Sequence, residues 1–154
     1  MEIRPFQMSD KDSVIQLWIQ CNLVAPQNNP MRDIERKMKV NPDWFLVGEM
    51  DWQVVGTCMA GYEGHRGWIN YLAVRPDLQK HGLGRQLMEH AEKILLAAGC
   101  SKINLQIRST NLDVIRFYES IGYKQDPVVS MGKRLETDIP YNKEKVDAAV
   151  LRKG

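Results

Sequence analysis

The sequence predicts an α/β fold, namely one three-layer α/β/α domain around a central mixed, mostly antiparallel sheet. Its 154 residues, 44% of them hydrophobic, suffice for one buried core and require no second domain. The predicted elements follow the order β-α-α-β-β-β-α-β-α-β. Neighbouring antiparallel strands followed by a β-α-β crossover are typical of helices packed on both faces of a mixed sheet.

The first part of the chain predicts one strand and two helices. Residues 2–6 form the strand, and Ser9 or Asp10 can cap the helix that follows. The segment VAPQNNP, residues 24–30, ends that helix with prolines and amides. Residues 33–40 then form a second, shorter helix.

Three strands come next in the sequence. Residues 44–49 and 53–62 predict an antiparallel hairpin, and residues 68–74 predict a further long strand. The glycine-rich segment GYEGHRG, residues 61–67, contains the loop before that last strand. This group forms the antiparallel part of the predicted sheet.

The second half of the chain alternates helices with strands. One helix begins near Leu83 and stops at Gly99, and another is capped by Asn111 and stops at Gly122. The other segments are strands at residues 102–108 and 128–135 and a charged extension at residues 136–154, helical or frayed. We therefore expect a single domain at residues 1–135.

Composition and patterning exclude several classes of protein. The formal net charge of +2, without a long run of Lys or Arg, argues against a nucleic-acid partner. The first residues, MEIRPFQMSDKD, are charged where a signal peptide is apolar, and no apolar run approaches the ~18 residues of a membrane helix. We therefore expect a cytoplasmic protein with no membrane partner.

The possible metal ligands lack the spacing of a metal site. Cys21, Cys58 and Cys100 are widely separated and include no CxxC pair, which indicates reduced thiols rather than a disulfide framework or a zinc site. His81 and His90 have no acidic or thiol partner at metal-ligand spacing. We therefore expect no metal.

The segment QKHGLG, residues 79–84, places two glycines where a predicted strand turns into a helix. A P-loop requires Lys and then Ser or Thr after its last glycine, but Arg85 follows Gly84 here. A dinucleotide fingerprint requires a third glycine where Leu87 stands. The segment therefore matches neither nucleotide loop.

The same segment still has the properties of an anion site. Glycines let a ligand approach the backbone, and the first N–H groups of the following helix attract negative charge. Lys80, His81 and Arg85 add positive charge, which suits a pyrophosphate better than a single carboxylate. A purely structural β-to-α turn is the alternative.

Two motifs, in order, resemble one enzyme family. YLAVRPDLQKHGLGRQLM, residues 71–88, resembles motif A of the GCN5-related N-acetyltransferases (GNATs), with its Q/R-x-x-G-x-G/A loop. NLDVIRFYESIGY, residues 111–123, resembles the family's Asn-to-Tyr helix followed by Gly and an aromatic residue. The resemblance covers about residues 3–135, and the GYEGHRG loop looks like that of the YpeA-like group of bacterial acetyltransferases.

This resemblance implies a sheet splayed between its fourth and fifth strands, with acetyl-CoA as the cosubstrate in the gap. Backbone groups of Leu72, Ala73 and Val74 would bind the pantetheine arm. The pyrophosphate would contact Gln79, Lys80, His81, Gly82, Leu83, Gly84 and Arg85. Asn111 and Tyr118 complete the implied cofactor-binding set, although Asn111 has a sufficient alternative role as a helix cap.

The resemblance also implies catalytic roles. Tyr118 stands at the family position for the acid that protonates the departing thiolate, with packing against the sheet as the alternative. Some relatives place a glutamate base on the fifth strand, where this chain has Asn104 and Gln106. Glu63 and His65, in the glycine-rich loop, are the candidate substitutes, and their alternative is a solvated loop position.

These residues together predict an acetyl-CoA-dependent N-acetyltransferase. The acceptor would be a primary amine of a small metabolite, a protein N-terminus or a lysine. A non-catalytic acyl-CoA sensor of the same fold is the alternative, and a homodimer is a possible assembly. An RNA-modifying transferase would require a basic surface that a net charge of +2 hardly supplies.

Overall fold

The computed structural model describes residues 1–137 and confirms the predicted fold class. The strands are β1 (Glu2–Pro5), β2 (Phe45–Met50), β3 (Gln53–Tyr62), β4 (Gly67–Val74) and β5 (Ile103–Asn104). The helices are α1 (Lys11–Gln20), α2 (Pro30–Lys37), α3 (Leu83–Ala97) and α4 (Leu112–Ser120). None of these helices combines the length and the apolar character needed to cross a membrane.

The five strands form one sheet in the order β1-β2-β3-β4-β5. The first three pairings are antiparallel, and β4 pairs with β5 in parallel. The parallel pair is possible because α3 carries the chain from the end of β4 back to the start of β5. The sheet is therefore mixed and mostly antiparallel, as predicted.

Helices cover both faces of the sheet. On one face, α1 and α2 bury Trp18 and Ile34 against Phe45 of β2. On the other face, α3 and α4 bury Leu87 and Tyr118 in a second apolar cluster. Successive side chains of β3 alternate between the two clusters, as strand geometry requires.

Both N-terminal helices differ from the prediction at their starts. α2 begins at Pro30 rather than at residue 33, because the Asn29 side chain accepts hydrogen bonds from the backbone N–H groups of Met31 and Arg32. α1 follows Asp10, but neither Ser9 nor Asp10 caps it through its side chain. The Asp10 carboxylate instead accepts hydrogen bonds from Arg4 and from the backbone N–H of Gln7.

The last two predicted strands are shorter than expected or missing. Only Ile103 and Asn104 of the predicted strand at residues 102–108 pair with β4. Residues 128–135 form no strand, because β5 ends at Asn104 and offers no extended partner beyond it. Val128, Met131 and Leu135 are accordingly exposed. Most of the predicted extension at residues 136–154 lies outside the described residues.

Candidate active site

The parallel pair of strands leaves a gap in the sheet. Its register joins Gly67 to Ile103 and Trp68 to Asn104, after which the two strands separate. Residues 69–74 of β4 therefore pair with β3 on one side and have no strand on the other among residues 1–137. This open edge confirms the splay predicted between the fourth and fifth strands.

The open edge contains a β-bulge. Thr57 and Met59 of β3 lie opposite Ala73 and Asn70 of β4, so β4 has one residue more than β3 over this stretch. Tyr71, inside the bulge, has a φ of 50°, in the left-handed region that a bulky residue occupies at a cost of about 1–3 kcal/mol. The bulge turns backbone groups out of the regular ladder at the middle of the gap.

Two buried side chains fix the bulge. The Thr57 hydroxyl donates to the carbonyl oxygen of Tyr71 at 2.8 Å and accepts a hydrogen bond from Trp18 Nε1 at 2.9 Å. Thr57 and Trp18 are both fully buried. The strained backbone is therefore held by a satisfied polar pair inside the core on the α1 and α2 side.

The side chain of Tyr71 extends from the bulge toward α2. Its ring stacks on that of Trp18, with centroids 3.9 Å apart and an interplanar angle of 17°. Its hydroxyl donates to Asp33 Oδ2 at 2.5 Å, and Arg36 Nη1 donates to Asp33 Oδ1 at 3.2 Å. A carboxylate is thus brought close to the bulge by one tyrosine side chain. Neither residue is among the site residues that the sequence predicts.

The carbonyl oxygen of Val74 faces the gap at its open end. Because the backbone N–H of Arg75 donates to Val55 on β3, the carbonyl of the same peptide points away from β3. It accepts hydrogen bonds from Gln79 Nε2 at 2.9 Å and from the Cys21 thiol at 3.3 Å. Burial raises the pKa of Cys21, and the bond to Val74 only partly offsets that effect, so the thiol stays protonated at neutral pH.

The QKHGLG segment, residues 79–84, follows the open end of β4 and is called the glycine loop below. Gly82 has a φ of 82°, which suits glycine, and no side chain caps α3 at this N-terminus. The exposed residues Lys80 and His81 precede α3 and Arg85 lies in its first turn, and His81 Nδ1 lies 2.8 Å from the carbonyl oxygen of Gln79. The loop thus offers amide donors and positive charge together, as an anion site requires.

Gly84 has a packing role as well. A Cβ atom at this position would lie 3.2 Å from Cζ of Phe117 on α4 and 3.8 Å from Val74. The absence of a side chain therefore lets α3 approach α4 closely at the mouth of the gap. Leu83 beside it is buried, so its contribution to ligand binding is limited to its backbone.

Tyr118 lies on the α3 and α4 side of the sheet. It is only 7% exposed, and its ring contacts those of Phe117 and Tyr123 edge-on. Burial raises the pKa of Tyr118, and the neighbouring Cys58 raises it further, so the phenol is protonated over the working pH range. The hydroxyl has no hydrogen-bond partner among residues 1–137. The phenol proton is therefore not engaged in a hydrogen bond to any of these residues.

The glycine-rich loop lies away from this end of the gap. The Glu63 carboxylate accepts hydrogen bonds from the backbone N–H groups of His65 and Arg66, and the Tyr62 hydroxyl donates to the carbonyl oxygen of Gly99 at 3.2 Å. The loop thus packs at the C-terminal end of α3, about 22 Å of helix from the glycine loop. The structure places Glu63 and His65 where β4 and β5 are still paired.

Other predicted positions are engaged in local contacts. Asn111 is the N-cap residue of α4, as predicted, but its side chain makes no capping hydrogen bond. Asn104 Nδ2 donates to Asp126 at 2.8 Å, and the Gln106 amide donates to Ser130. These two residues, on and just after β5, contact the segment that follows α4.

That segment runs from the region of β5 to the N-terminal part of the domain. From its contacts with β5 it reaches the connection between α1 and α2, where Arg134 donates to the carbonyl oxygen of Gln27 at 2.7 Å and to Asn28 Oδ1 at 3.2 Å. The contacts of residues 126–134 are thus with the region of β5 and with the connection between α1 and α2.

Comparisons with known proteins agree with this geometry. A family model described as the acetyltransferase (GNAT) family matches residues 11–123. A Sodalis glossinidius protein named acetyltransferase is 49% identical over 142 residues, which cover 92% of this chain and all of that protein. A Yersinia enterocolitica protein of the same name is 45% identical over 141 residues, which cover 92% of this chain and all of that protein.

Among solved structures, the PaiA N-acetyltransferase of Thermoplasma acidophilum, in complex with coenzyme A, has a similar fold. It superposes with a TM-score of 0.70 at 18% identity, over 83% of this chain and 92% of its own.

Proposed function

The chain belongs to the GNAT family of acetyltransferases, and from that membership we propose that it transfers an acetyl group from acetyl-CoA directly to a primary amine. The acceptor class is a small metabolite, a protein N-terminus or a lysine. The open edge of β4, which ends at the uncapped N-terminus of α3, is the observation that carries this proposal.

The pantetheine arm is an extended chain with amide groups, and it can pair with residues 69–74 as an added strand would. The backbone groups of Leu72, Ala73 and Val74 are its proposed partners. Since the Val74 carbonyl is occupied by Gln79 and Cys21, the arm must displace at least one of these donors. The carbonyl is thus a hydrogen-bonding position that a ligand amide can take over.

The pyrophosphate would bind at the start of α3. We propose that the backbone N–H groups of residues 82–85 and the side chains of Gln79, Lys80, His81 and Arg85 surround it. A helix N-terminus and nearby cations are both favourable for a doubly charged group. The coenzyme A that the PaiA structure contains supports this use of the fold.

The bulge and Tyr118 would act on different steps of the reaction. Attack by the amine nitrogen forms the C–N bond, and a backbone N–H of the bulge would stabilise the oxyanion. When the C–S bond breaks, its electron pair moves to sulfur, which takes the proton of the Tyr118 hydroxyl. Asn111 is proposed to contact the arm. Glu63 and His65 stay predicted bases, although their loop lies at the closed end of the gap.

A panel of amines tests the proposed function. Free amino acids, polyamines, aminoglycosides and N-terminal peptides are each incubated with acetyl-CoA, and release of the CoA thiol is measured. We expect release with at least one class, together with an equal amount of acetylated amine. Saturable acetyl-CoA binding without product in any class would contradict catalysis and support the sensor alternative.

A further inference from the structure

The acceptor amine needs a group that takes its proton. An alkyl ammonium has a pKa of ~10, so almost none of it is nucleophilic at neutral pH. Asn104 and Gln106 stand at the positions where some relatives carry a glutamate, and neither side chain can accept a proton at that pH. Glu63 and His65, the predicted bases, lie in a loop where β4 and β5 are still paired, away from the bulge. A base beside the bulge must therefore come from other residues.

Asp33 is the carboxylate that the structure joins to the bulge. Its Oδ2 lies 2.5 Å from the hydroxyl of Tyr71, and Tyr71 is itself the bulge residue with positive φ. The Asp33 side chain is 28% exposed, so a ligand or a water molecule can reach it. The short phenol–carboxylate hydrogen bond forms a ready path for a proton.

This pair and Tyr118 lie on opposite faces of the sheet at the same level of β4. Cys58, which packs with Tyr118, stands on β3 between Thr57 and Met59, the two residues that flank the bulge. Tyr71 packs on the other face, with Trp18. A thioester in the gap would therefore meet Tyr118 from one side and Tyr71 from the other.

We propose that Tyr71 and Asp33 form the proton path of the acceptor amine, with the Tyr71 hydroxyl contacting the ammonium and Asp33 accepting the proton. This inference rests on the proposed function. Tyr71 is its catalytic residue, and Asp33 acts through it.

The amine nitrogen loses two protons over the proposed reaction. The ammonium gives one proton to Tyr71 Oη while the original Tyr71 proton passes to Asp33 Oδ2, from which solvent later removes it. The neutral amine then forms the C–N bond, and the nitrogen sheds a second proton when the tetrahedral intermediate collapses. That proton replaces the one that Tyr118 gives to sulfur. The products are the amide, the CoA thiol and one released proton.

Three basic side chains lie on α2 together with Asp33. Arg36 hydrogen-bonds the other oxygen of Asp33. Lys37, one turn further along α2, donates to the carbonyl oxygen of Ala60, and burial lowers its pKa. Arg32, on the same helix, pairs with Glu136 at 4.0 Å.

Two conservative variants test the path. Tyr71→Phe keeps the ring that stacks on Trp18, and Asp33→Asn keeps an acceptor for the Tyr71 hydroxyl. We expect each to lower kcat at pH 7 by about 10²-fold or more, with unchanged affinity for acetyl-CoA in calorimetry. The loss should shrink as the pH approaches ~10, because the amine is then neutral without a base. Glu35→Gln, an exposed change on the same helix, is the matched control and should behave as wild type.

Two results would overturn the path. A kcat within about threefold of wild type at every pH would show that the proton leaves elsewhere. An equal loss at every pH, with a lower unfolding temperature, would show that the pair only anchors the bulge. Either result leaves wild-type turnover intact and so leaves the proposed function standing. A wild-type protein that releases no CoA thiol would contradict the proposed function itself, and the path with it.

Discussion

Thr57 shows, at the scale of single residues, how the core supports the site. Its hydroxyl serves two buried partners, the indole of Trp18 and the carbonyl of Tyr71. A buried polar group that loses its partner costs about 1–3 kcal/mol. The bulge at the centre of the proposed active site is therefore tied to the stability of the domain.

Thr57→Val removes the hydroxyl and keeps the shape of the side chain. We expect the free energy of unfolding to fall by at least about 2 kcal/mol, since two buried groups lose their partner. Thr57→Ser keeps the hydroxyl and is the control, with a smaller loss of about 1 kcal/mol for the missing methyl group. Urea unfolding measures both. A valine variant as stable as the serine variant would show that the hydroxyl does not hold the bulge.

Tyr118→Phe tests the acid that the family resemblance implies. Because the hydroxyl has no partner among residues 1–137, we expect stability to change little while kcat falls by about 10²- to 10⁴-fold. Burial raises the pKa of Tyr118, so the wild-type rate should show no basic limb from this group up to pH ~10. A kcat within about threefold of wild type would return Tyr118 to a packing role.

Only some of these residues could be predicted from the sequence. Tyr118 lies in a linear motif, so the sequence alone was enough to name it as a candidate acid. Tyr71 and Asp33 are 38 residues apart and meet only because β4 bulges toward α2. Asn111 is an intermediate case, since the sequence placed it correctly at the N-terminus of α4 but its side chain makes no capping hydrogen bond.

At the scale of elements, the N-terminus of α3 and the open edge of β4 act together. The glycine loop joins them, and the absence of a side chain at Gly84 lets α3 pack against Phe117 of α4. A substitution at Gly84 would therefore disturb packing as well as binding. Reversing a charge at the exposed start of α3 tests ligand binding with less effect on packing.

Arg85→Glu reverses an exposed charge at the proposed pyrophosphate site. Its side chain is 59% exposed and lies 3.8 Å from Glu89, a surface pair of little consequence for stability. We expect acetyl-CoA to bind about tenfold more weakly or worse, with an unchanged unfolding temperature. Lys93→Glu, an exposed reversal further along α3, is the control. Equal affinities in the two variants would place the pyrophosphate elsewhere.

Sequence periodicity succeeded for the long elements and failed for the last two strands. β3 and α3 bury whole faces, so their apolar patterns predicted them well. β5 is short because its partner diverges after Trp68, and residues 128–135 have strand-like alternation without a ladder to join. Pairing partners are a property of the assembled sheet and are absent from local pattern.

At the scale of the whole molecule, an ion cluster joins the N-terminal strand to the rest of the domain. Arg4 of β1 donates two hydrogen bonds to Asp10, at 2.8 and 2.9 Å, and one to Glu49 of β2 at 3.0 Å. The bond from Arg4 lowers the pKa of Asp10, with a further contribution from the backbone N–H of Gln7. Both carboxylates and the guanidinium are mostly buried.

This cluster makes stability depend on pH. The pKa of Asp10 is lower in the folded state than in the unfolded state. Its contribution to stability is therefore fully present above the unfolded-state pKa of ~3.9 and is lost as the pH falls through the folded-state pKa. We expect Asp10→Asn to be less stable than wild type at pH 7 and the difference to narrow below pH ~4. Chemical unfolding at several pH values measures this. A difference that is constant with pH would contradict the linkage.

The central claim for the molecule is that acetyl-CoA lies along the open edge of β4 and ends at the start of α3. Amide hydrogen exchange of the full chain, with and without saturating acetyl-CoA, tests it most directly. We expect slower exchange at residues 69–74 and 82–86, with β1 and β2 unchanged. Unchanged exchange in those two segments, at a concentration where calorimetry shows binding, would contradict it.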